Sequence, residues 1–285
     1  MRRLEIEGKI VRIYAGCAFH RGYKKANNED NFLFDNKILR DSTIKTGSYQ
    51  KAVSKNRTCF AVFDGMGGLP AGEQASKIAA ETLLDQLCRN EHKKEPDEEW
   101  IYRVIHAINT AVACYAKKIG CQIGTTAAFL LFYESSIVVG NIGDSRVYRY
   151  ENDKLEQLSQ DHSDRALIQE LGVKGRRPSL LQFVGKSKDE QPILPALSRF
   201  PCTNQGRYLV CSDGLTDMLS DKEIEQICRT SAAPLACARA LVQEALKKGG
   251  EDNITVIVCD LAHNTPSSVP DVMKMIKARI TGCQR

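Results

Sequence analysis

Apolar positions along this chain recur in two patterns: short runs dense in β-branched and aromatic residues, and longer stretches with apolar residues every three or four positions. Runs of the first kind occupy 10–18 (IVRIYAGCA), 31–39, 58–63, 125–133, 136–141, 145–150, 207–211 and 253–261, and predict strands. Two pairs of runs are separated only by the short polar connections Glu134-Ser135-Ser136 and Glu151-Asn152-Asp153. Connections that short favour hairpins and antiparallel pairing. Helical spacing appears over 71–87, more clearly at Ile101, Val104, Ile105, Ile108 and Val112, and again over about 234–248, with Pro234 near its start. Strands in batches, with helices between the batches, predict an α+β fold: a central antiparallel β-sandwich flanked by helices on both sides.

Length and composition fit one domain over 1–261, since 285 residues with 42% hydrophobic content can bury a large core. Residues 40–57 interrupt the pattern with a polar, basic insertion, read as a solvated loop or hairpin extension. Residues 262–285 read as a tail or short C-terminal helix. Lys and Arg number 40 against 35 Asp and Glu, an excess too small to indicate nucleic acid as a partner. No run is long and apolar enough for a membrane helix and the first residues hold no apolar signal core, so a cytoplasmic location is the expectation. The 11 Cys are scattered without a CxxC pair, which argues against a zinc framework, and Cys59 and Cys211 sit in apolar runs as small hydrophobes.

The chemistry is carried by aspartates at the ends of apolar strands: FAVFDGMGG, VVGNIGDSR, YLVCSDGLTD and EDNITVIV place Asp64, Asp144, Asp213 and Asp252 where one site could share them. Carboxylates without accompanying His or Cys suit hard cations such as Mg²⁺ and Mn²⁺, and a cluster can hold two ions about 4 Å apart. A lone Asp-Gly more often marks a turn, so the combination carries the inference. A cysteine-dependent phosphatase would need a His-Cys-x₅-Arg arrangement, which the sequence lacks.

The motif set resembles the metal-dependent serine/threonine protein phosphatases of type 2C, the PPM family, in its bacterial form. The matches run in family order: NNEDNF at 27–32, VFDGMGG at 62–68 with AGE at 71–73, GTTA at 124–127, GNIGDSRVY at 140–148, SQDHS at 159–163, CSDGLTD at 211–217 and EDNITVIV at 251–258. The resemblance implies hydrolysis of phosphoserine and phosphothreonine by a hydroxide bridging two Mn²⁺ or Mg²⁺ ions. It implies that Asp64 bridges the ions, that Asp213 and Asp252 complete one ligand set, that the Gly65 carbonyl reaches the other ion, and that Glu29 and Asp30 hold metal-bound waters. A third ion is implied at Asp144 and Asp213. Phosphorylated proteins, substrates of a serine/threonine kinase, are the implied partners of a monomer.

The sequence departs from the family pattern at the phosphate grip. Where relatives usually carry Arg, four residues before the Glu of NED, this chain has Lys25, a point charge without the two-pronged guanidinium, and Arg21 lies near enough in sequence to compensate. Met66 follows the Asp-Gly where eukaryotic relatives often have His, and Met transfers no proton. His162 is the remaining motif-borne His, read first as structural. The mobile flap of bacterial relatives is expected here as a shortened loop over 164–179. The competing functional class is a non-catalytic scaffold of the same fold, against which stand the retained Asp30, Asp64, Asp144, Asp213 and Asp252.

Overall fold

The computed structural model describes residues 12–53, 57–67, 71–89, 98–133, 136–173, 178–187, 192–202 and 206–262. The chain begins with strands β1 (Arg12–His20), β2 (Asp30–Phe34), β3 (Thr46–Val53) and β4 (Arg57–Gly67), followed by helices α1 (Gly72–Arg89) and α2 (Glu98–Ile119). Strands β5 (Ile123–Thr125), β6 (Ala127–Tyr133), β7 (Ser136–Ile142), β8 (Arg146–Glu151) and β9 (Lys154–Gln157) come next. Then follow α3 (Arg165–Glu170), β10 (Ala196–Pro201), β11 (Arg207–Cys211), α4 (Asp213–Thr216), α5 (Asp221–Thr230), α6 (Pro234–Lys247) and β12 (Ile254–Ala262).

The strands form two antiparallel sheets, ordered β3-β1-β12-β11-β8-β9 and β10-β7-β6-β4-β2, with β5 paired to β4. Period-2 alternation builds the layers, because successive side chains on a strand face opposite ways. On β4, Phe60 and Val62 fill the space between the sheets, while Cys59, Ala61 and Phe63 face α1 and α2. On β12, Ile257 and Cys259 face inward, while Val256 and Val258 meet α6. The result is a four-layer helix–sheet–sheet–helix stack, as the hydrophobic pattern predicts. On α2 the buried residues are Ile101, Val104, Ile105, Ile108 and Val112, the stripe read from spacing. Pro234 opens α6, where a missing N–H costs nothing.

Several elements differ from the sequence reading, each for a physical reason. The run at 31–39 yields only the five-residue β2, because Asp35 takes a positive φ of 59° and Phe34 and Lys37 close a turn. The 40–57 insertion contributes an edge strand, β3, paired with β1 from Thr46↔His20 to Ile13↔Val53. Only Val53 of its eight residues is fully buried, so it leaves no hydrophobic signature. β10 is an edge strand of the same half-exposed kind. The short α5 announces itself in sequence only through its capping box, Ser220 with Glu223, whose Oε2 accepts from the Ser220 N–H at 3.0 Å. The Glu151–Lys154 hairpin does form, with Asn152 and Asp153 at φ 53° and 59°, the left-handed turn that suits strand twist. Within 164–179 lies α3, which buries none of its residues; its base is closed by the Ser179 N–H donating to Asp164 Oδ1 at 2.6 Å. The expected C-terminal tail or helix lies outside the described residues, apart from Ala262 in β12.

Phe60 is fully buried between the sheets, against Phe34 and Phe132. Phe60→Ala is expected to cost about 3–5 kcal/mol of unfolding free energy, measured by urea denaturation. A loss below about 1 kcal/mol would show that the inter-sheet core is not packed as described.

Candidate active site

Strand parity places the carboxylates. Asp30 pairs directly with Asp64 across β2 and β4, on the faces that bear Phe32 and Val62 between the sheets. At this end of the sandwich the apolar filling gives way to polar side chains. From the opposite sheet, Ser212 Oγ and Thr255 Oγ1 each donate to Asp30 Oδ2 at 2.7 Å. Asp213 opens α4 immediately after Ser212, and Asp252 lies two residues before β12. The two sheets therefore deliver Asp30 and Asp64 from one side, and Asp213 and Asp252 from the other.

The backbone around Asp64 is fixed at both ends. Its N–H donates to Thr126 Oγ1 at 2.9 Å, and its carbonyl accepts from the Thr126 N–H at 2.9 Å and from Thr125 Oγ1 at 3.0 Å. Thr126 Oγ1 in turn pairs with Ser145 Oγ at 2.6 Å. Gly65 packs so closely that a Cβ there would collide with the Gly72 and Glu29 carbonyl oxygens. Its glycine identity is thus required by backbone packing, independently of any ion.

Electrostatics mark the cluster as deficient in positive charge. Burial, then the charges of Asp213, Asp30 and Asp252, raise the Asp64 carboxyl well above the usual range. Burial and the charges of Asp144 and Asp217 push Asp213 up to about 8, and Asp64 and Asp213 share a hydrogen bond. Burial pushes Asp30 up to about 7 even against its bonds from Thr255 and Ser212. Asp144 rises to about 6, again through burial, with Arg165 opposing and Asp161 adding to the shift. Asp30 Oδ1 is buried without a hydrogen-bond partner. An all-oxygen donor set that must otherwise hold protons, with an orphaned acceptor among them, fits a hard divalent cation. Among the described residues no three His, Cys, Asp or Glu side chains gather tightly enough to hold an ion alone. Mg²⁺ characteristically keeps several waters and needs few protein ligands, so this looser arrangement suits it.

Lys25 reaches the same cluster. Its Nζ lies 2.8 Å from Asp252 Oδ1 and 3.2 Å from Glu29 Oε2. Burial disfavours its charge, but the bonds and charges of Asp252 and Glu29 outweigh that and hold the ammonium well above its ordinary range. Arg21, the other basic residue expected here, donates from Nη1 to the Ala26 carbonyl at 2.8 Å, so that nitrogen is committed to its own loop. His162 is a clamp: its Nδ1 accepts from the Gly143 N–H at 3.2 Å and its backbone N–H donates to the Gly143 carbonyl at 2.9 Å. Gly143 sits at φ 99°, which favours glycine, and burial holds the imidazole below its ordinary pKa. Met66 is half-buried in β4.

Sequence reasoning missed the residues that hold these groups in place. Asn253 Oδ1 accepts from the Glu29 N–H at 2.7 Å, and its Nδ2 donates to the Arg21 and Asn27 carbonyls at 2.7 and 3.0 Å. It fastens the loop bearing Lys25 and Glu29 to the start of β12. Ser212, Thr255 and Thr126 do similar work. The available signal was a small polar residue beside each aspartate, in SDG, EDNIT and GTTA.

Comparisons with known proteins identify relatives of this chain. The family model described as Protein phosphatase 2C matches residues 40–248. A serine/threonine phosphatase stp of Listeria innocua is 31% identical over 257 residues, covering 84% of this chain and 92% of that protein. The crystal structure of the catalytic domain of the phosphatase PstP in complex with 2 manganese ions superposes with a TM-score of 0.69 at 26% identity, covering 88% of this chain and 99% of that one. A PPM Ser-Thr phosphatase of Mycobacterium smegmatis in complex with cacodylate gives 0.68 at 27% identity, covering 86% and 97%.

In metal-free protein the raised carboxyls retain protons that the unfolded chain releases above about pH 4. The folded state then binds more protons than the unfolded one, so stability falls as pH rises toward and through 8, where Asp213 titrates. Buried His20 and half-buried His162 act in the opposite sense only around and below about pH 6.5. In EDTA, Tm is expected to decline from pH 6.5 to 8.5, and Asp64→Asn to flatten that decline while raising Tm at pH 8. An identical pH profile in wild type and Asp64→Asn would contradict the repulsive cluster.

Proposed function

Because the chain belongs to the protein phosphatase 2C family, we propose that its carboxylate cleft is the catalytic centre of a metal-dependent serine/threonine phosphoprotein phosphatase. The observation that carries the assignment is the convergence of Asp30, Asp64, Asp213 and Asp252 from two sheets, where the carboxyls of Asp30, Asp64 and Asp213 need a counter-charge. No helix among the described residues is long and apolar enough to cross a membrane.

Asp64, Asp213 and Asp252 would ligate a pair of Mn²⁺ or Mg²⁺ ions with the Gly65 carbonyl, and Glu29 and Asp30 would orient water around them. When bound, the ions activate water for in-line attack on phosphorus and offset the phosphate charge. Asp144, whose charge is the largest neighbouring contribution at Asp213, supports a third position shared by these two residues. Asp30, anchored by Ser212 and Thr255, keeps its free oxygen aimed at a fixed place. Lys25 balances Asp252 and Glu29 and presents one cationic centre to the incoming phosphate. Arg21 stands second as a phosphate contact. The substrates in view are proteins phosphorylated by a serine/threonine kinase.

Asp213→Asn is expected to lower Mn²⁺-dependent hydrolysis of p-nitrophenyl phosphate by several orders of magnitude while circular dichroism stays unchanged, and EDTA to abolish the wild-type rate reversibly. Near-normal turnover in the mutant would remove Asp213 from the centre. On a phosphothreonine peptide with saturating Mn²⁺, Lys25→Ala should raise KM and largely preserve kcat, because this side chain does not generate the nucleophile. Lys25→Arg should lower KM a few-fold through a second charge-assisted hydrogen bond. Unchanged kinetics in both would move the phosphate grip elsewhere, with Arg21 the next residue to replace.

A further inference from the structure

Beside the carboxylate cleft lies a small polar cavity of about 30 Å³, lined by Asn28, Arg40, Ser42, Glu73, Gln74 and Lys77 among others. It is one residue from the metal cluster in sequence, since Asn28 precedes Glu29. It also abuts the cluster in space: a Cβ at Gly72, next to Glu73, would meet Glu29 Oε1 at 2.7 Å.

Its walls are rigid. The Asn28 N–H donates to the Ser42 carbonyl at 2.9 Å. Asn31, also buried, exchanges two hydrogen bonds with the Leu39 backbone at 2.9 and 3.0 Å. These bonds pin residues 39–42 onto β2, and the Lys77 Nζ adds a long contact, 3.4 Å, to the Arg40 carbonyl. The 40–57 insertion thus begins as one wall of this cavity.

The decisive feature is Asn28. It is 1% exposed, its Oδ1 accepts from the Asp30 N–H at 3.2 Å, and its Nδ2 is buried with no partner. A buried amide NH₂ can be satisfied only by an acceptor, so a cation does not answer it. Arg40 and Lys77 outnumber Glu73 in the lining, and Asp41 at the edge is already engaged by Thr43. The first turn of the 18-residue α1, with Glu73 and Gln74, also contributes, since a helix N-terminus favours negative charge. A cavity of this size admits two waters or the oxygens of one carboxylate.

We propose that this cavity is a substrate subsite that receives an aspartate or glutamate side chain flanking the phosphorylated residue, and so gives the enzyme a preference for acidic phosphosites. The proposal rests on the phosphatase reading and deepens it. Asn28 Nδ2 would supply the buried hydrogen bond, and Arg40 and Lys77 the charge. Neither Arg40 nor Lys77 belongs to the carboxylate centre.

The test is a phosphothreonine peptide series in which one Asp is moved through the four positions on either side in an alanine background, assayed with Mn²⁺. p-Nitrophenyl phosphate, which has no flanking residues, is the reference. Wild type is expected to favour at least one position by about three- to tenfold in kcat/KM, expressed in KM, the range expected for partly exposed charge contacts. Arg40→Gln with Lys77→Gln should erase that preference and leave p-nitrophenyl phosphate turnover unchanged. A flat wild-type profile, showing a cavity that holds only water, overturns the proposal, as does a preference that survives in the double variant. If wild type fails to hydrolyse p-nitrophenyl phosphate at all, the catalytic reading itself falls and the subsite with it.

Discussion

Four carboxylates are held closer together than their charges would choose, and the rest of the molecule is arranged around that constraint. Asp30 and Asp64 are adjacent across one sheet, and Asp213 and Asp252 come from loops at the end of the other. Left to themselves, such groups would separate or keep their protons. The inter-sheet core behind them, with Phe32, Phe60, Val62 and Ile257 fully buried, supplies the apolar burial that sets this end of the sandwich.

Repulsion of this kind is tolerable only where the backbone cannot relax. Around the cluster, neighbours remove that freedom: Thr126 for Asp64, Ser212 and Thr255 for Asp30, Asn253 for the loop that carries Glu29. These bonds cross between elements far apart in sequence. In the proposed reading the cluster's unmet demand for positive charge would be the means by which a cation is selected and held.

Lys25 meets part of that demand within the chain itself. In place of a fork that would span two phosphate oxygens, the ammonium settles between Asp252 and Glu29. In the proposed reading its position would couple substrate phosphate to the same carboxylates that govern the ions, making the phosphate grip and the metal centre one electrostatic unit. Asn28 extends that unit outward: the residue beside Glu29 uses its backbone to fix the 39–42 segment and leaves its amide facing a cavity.

The sequence alone determined the chemistry and the layering. Aspartates at the ends of apolar runs, without His or Cys, point to a hard-cation site, and the nearly unbroken apolar runs of β4 and β12, buried on both faces, point to two sheets with helices outside, because composition along a short run is a local property. The polar edge strands β3 and β10 were not legible, since an edge needs no apolar run once a neighbouring strand supplies its hydrogen bonds. Nor were the partners of individual side chains. Whether Lys25 would meet Asp252, whether Arg21 would turn to Ala26, and whether the Asn28 amide would be left without an acceptor depend on residues up to 227 positions away. Only the folded chain brings them within 3 Å, and so only tertiary structure decided them.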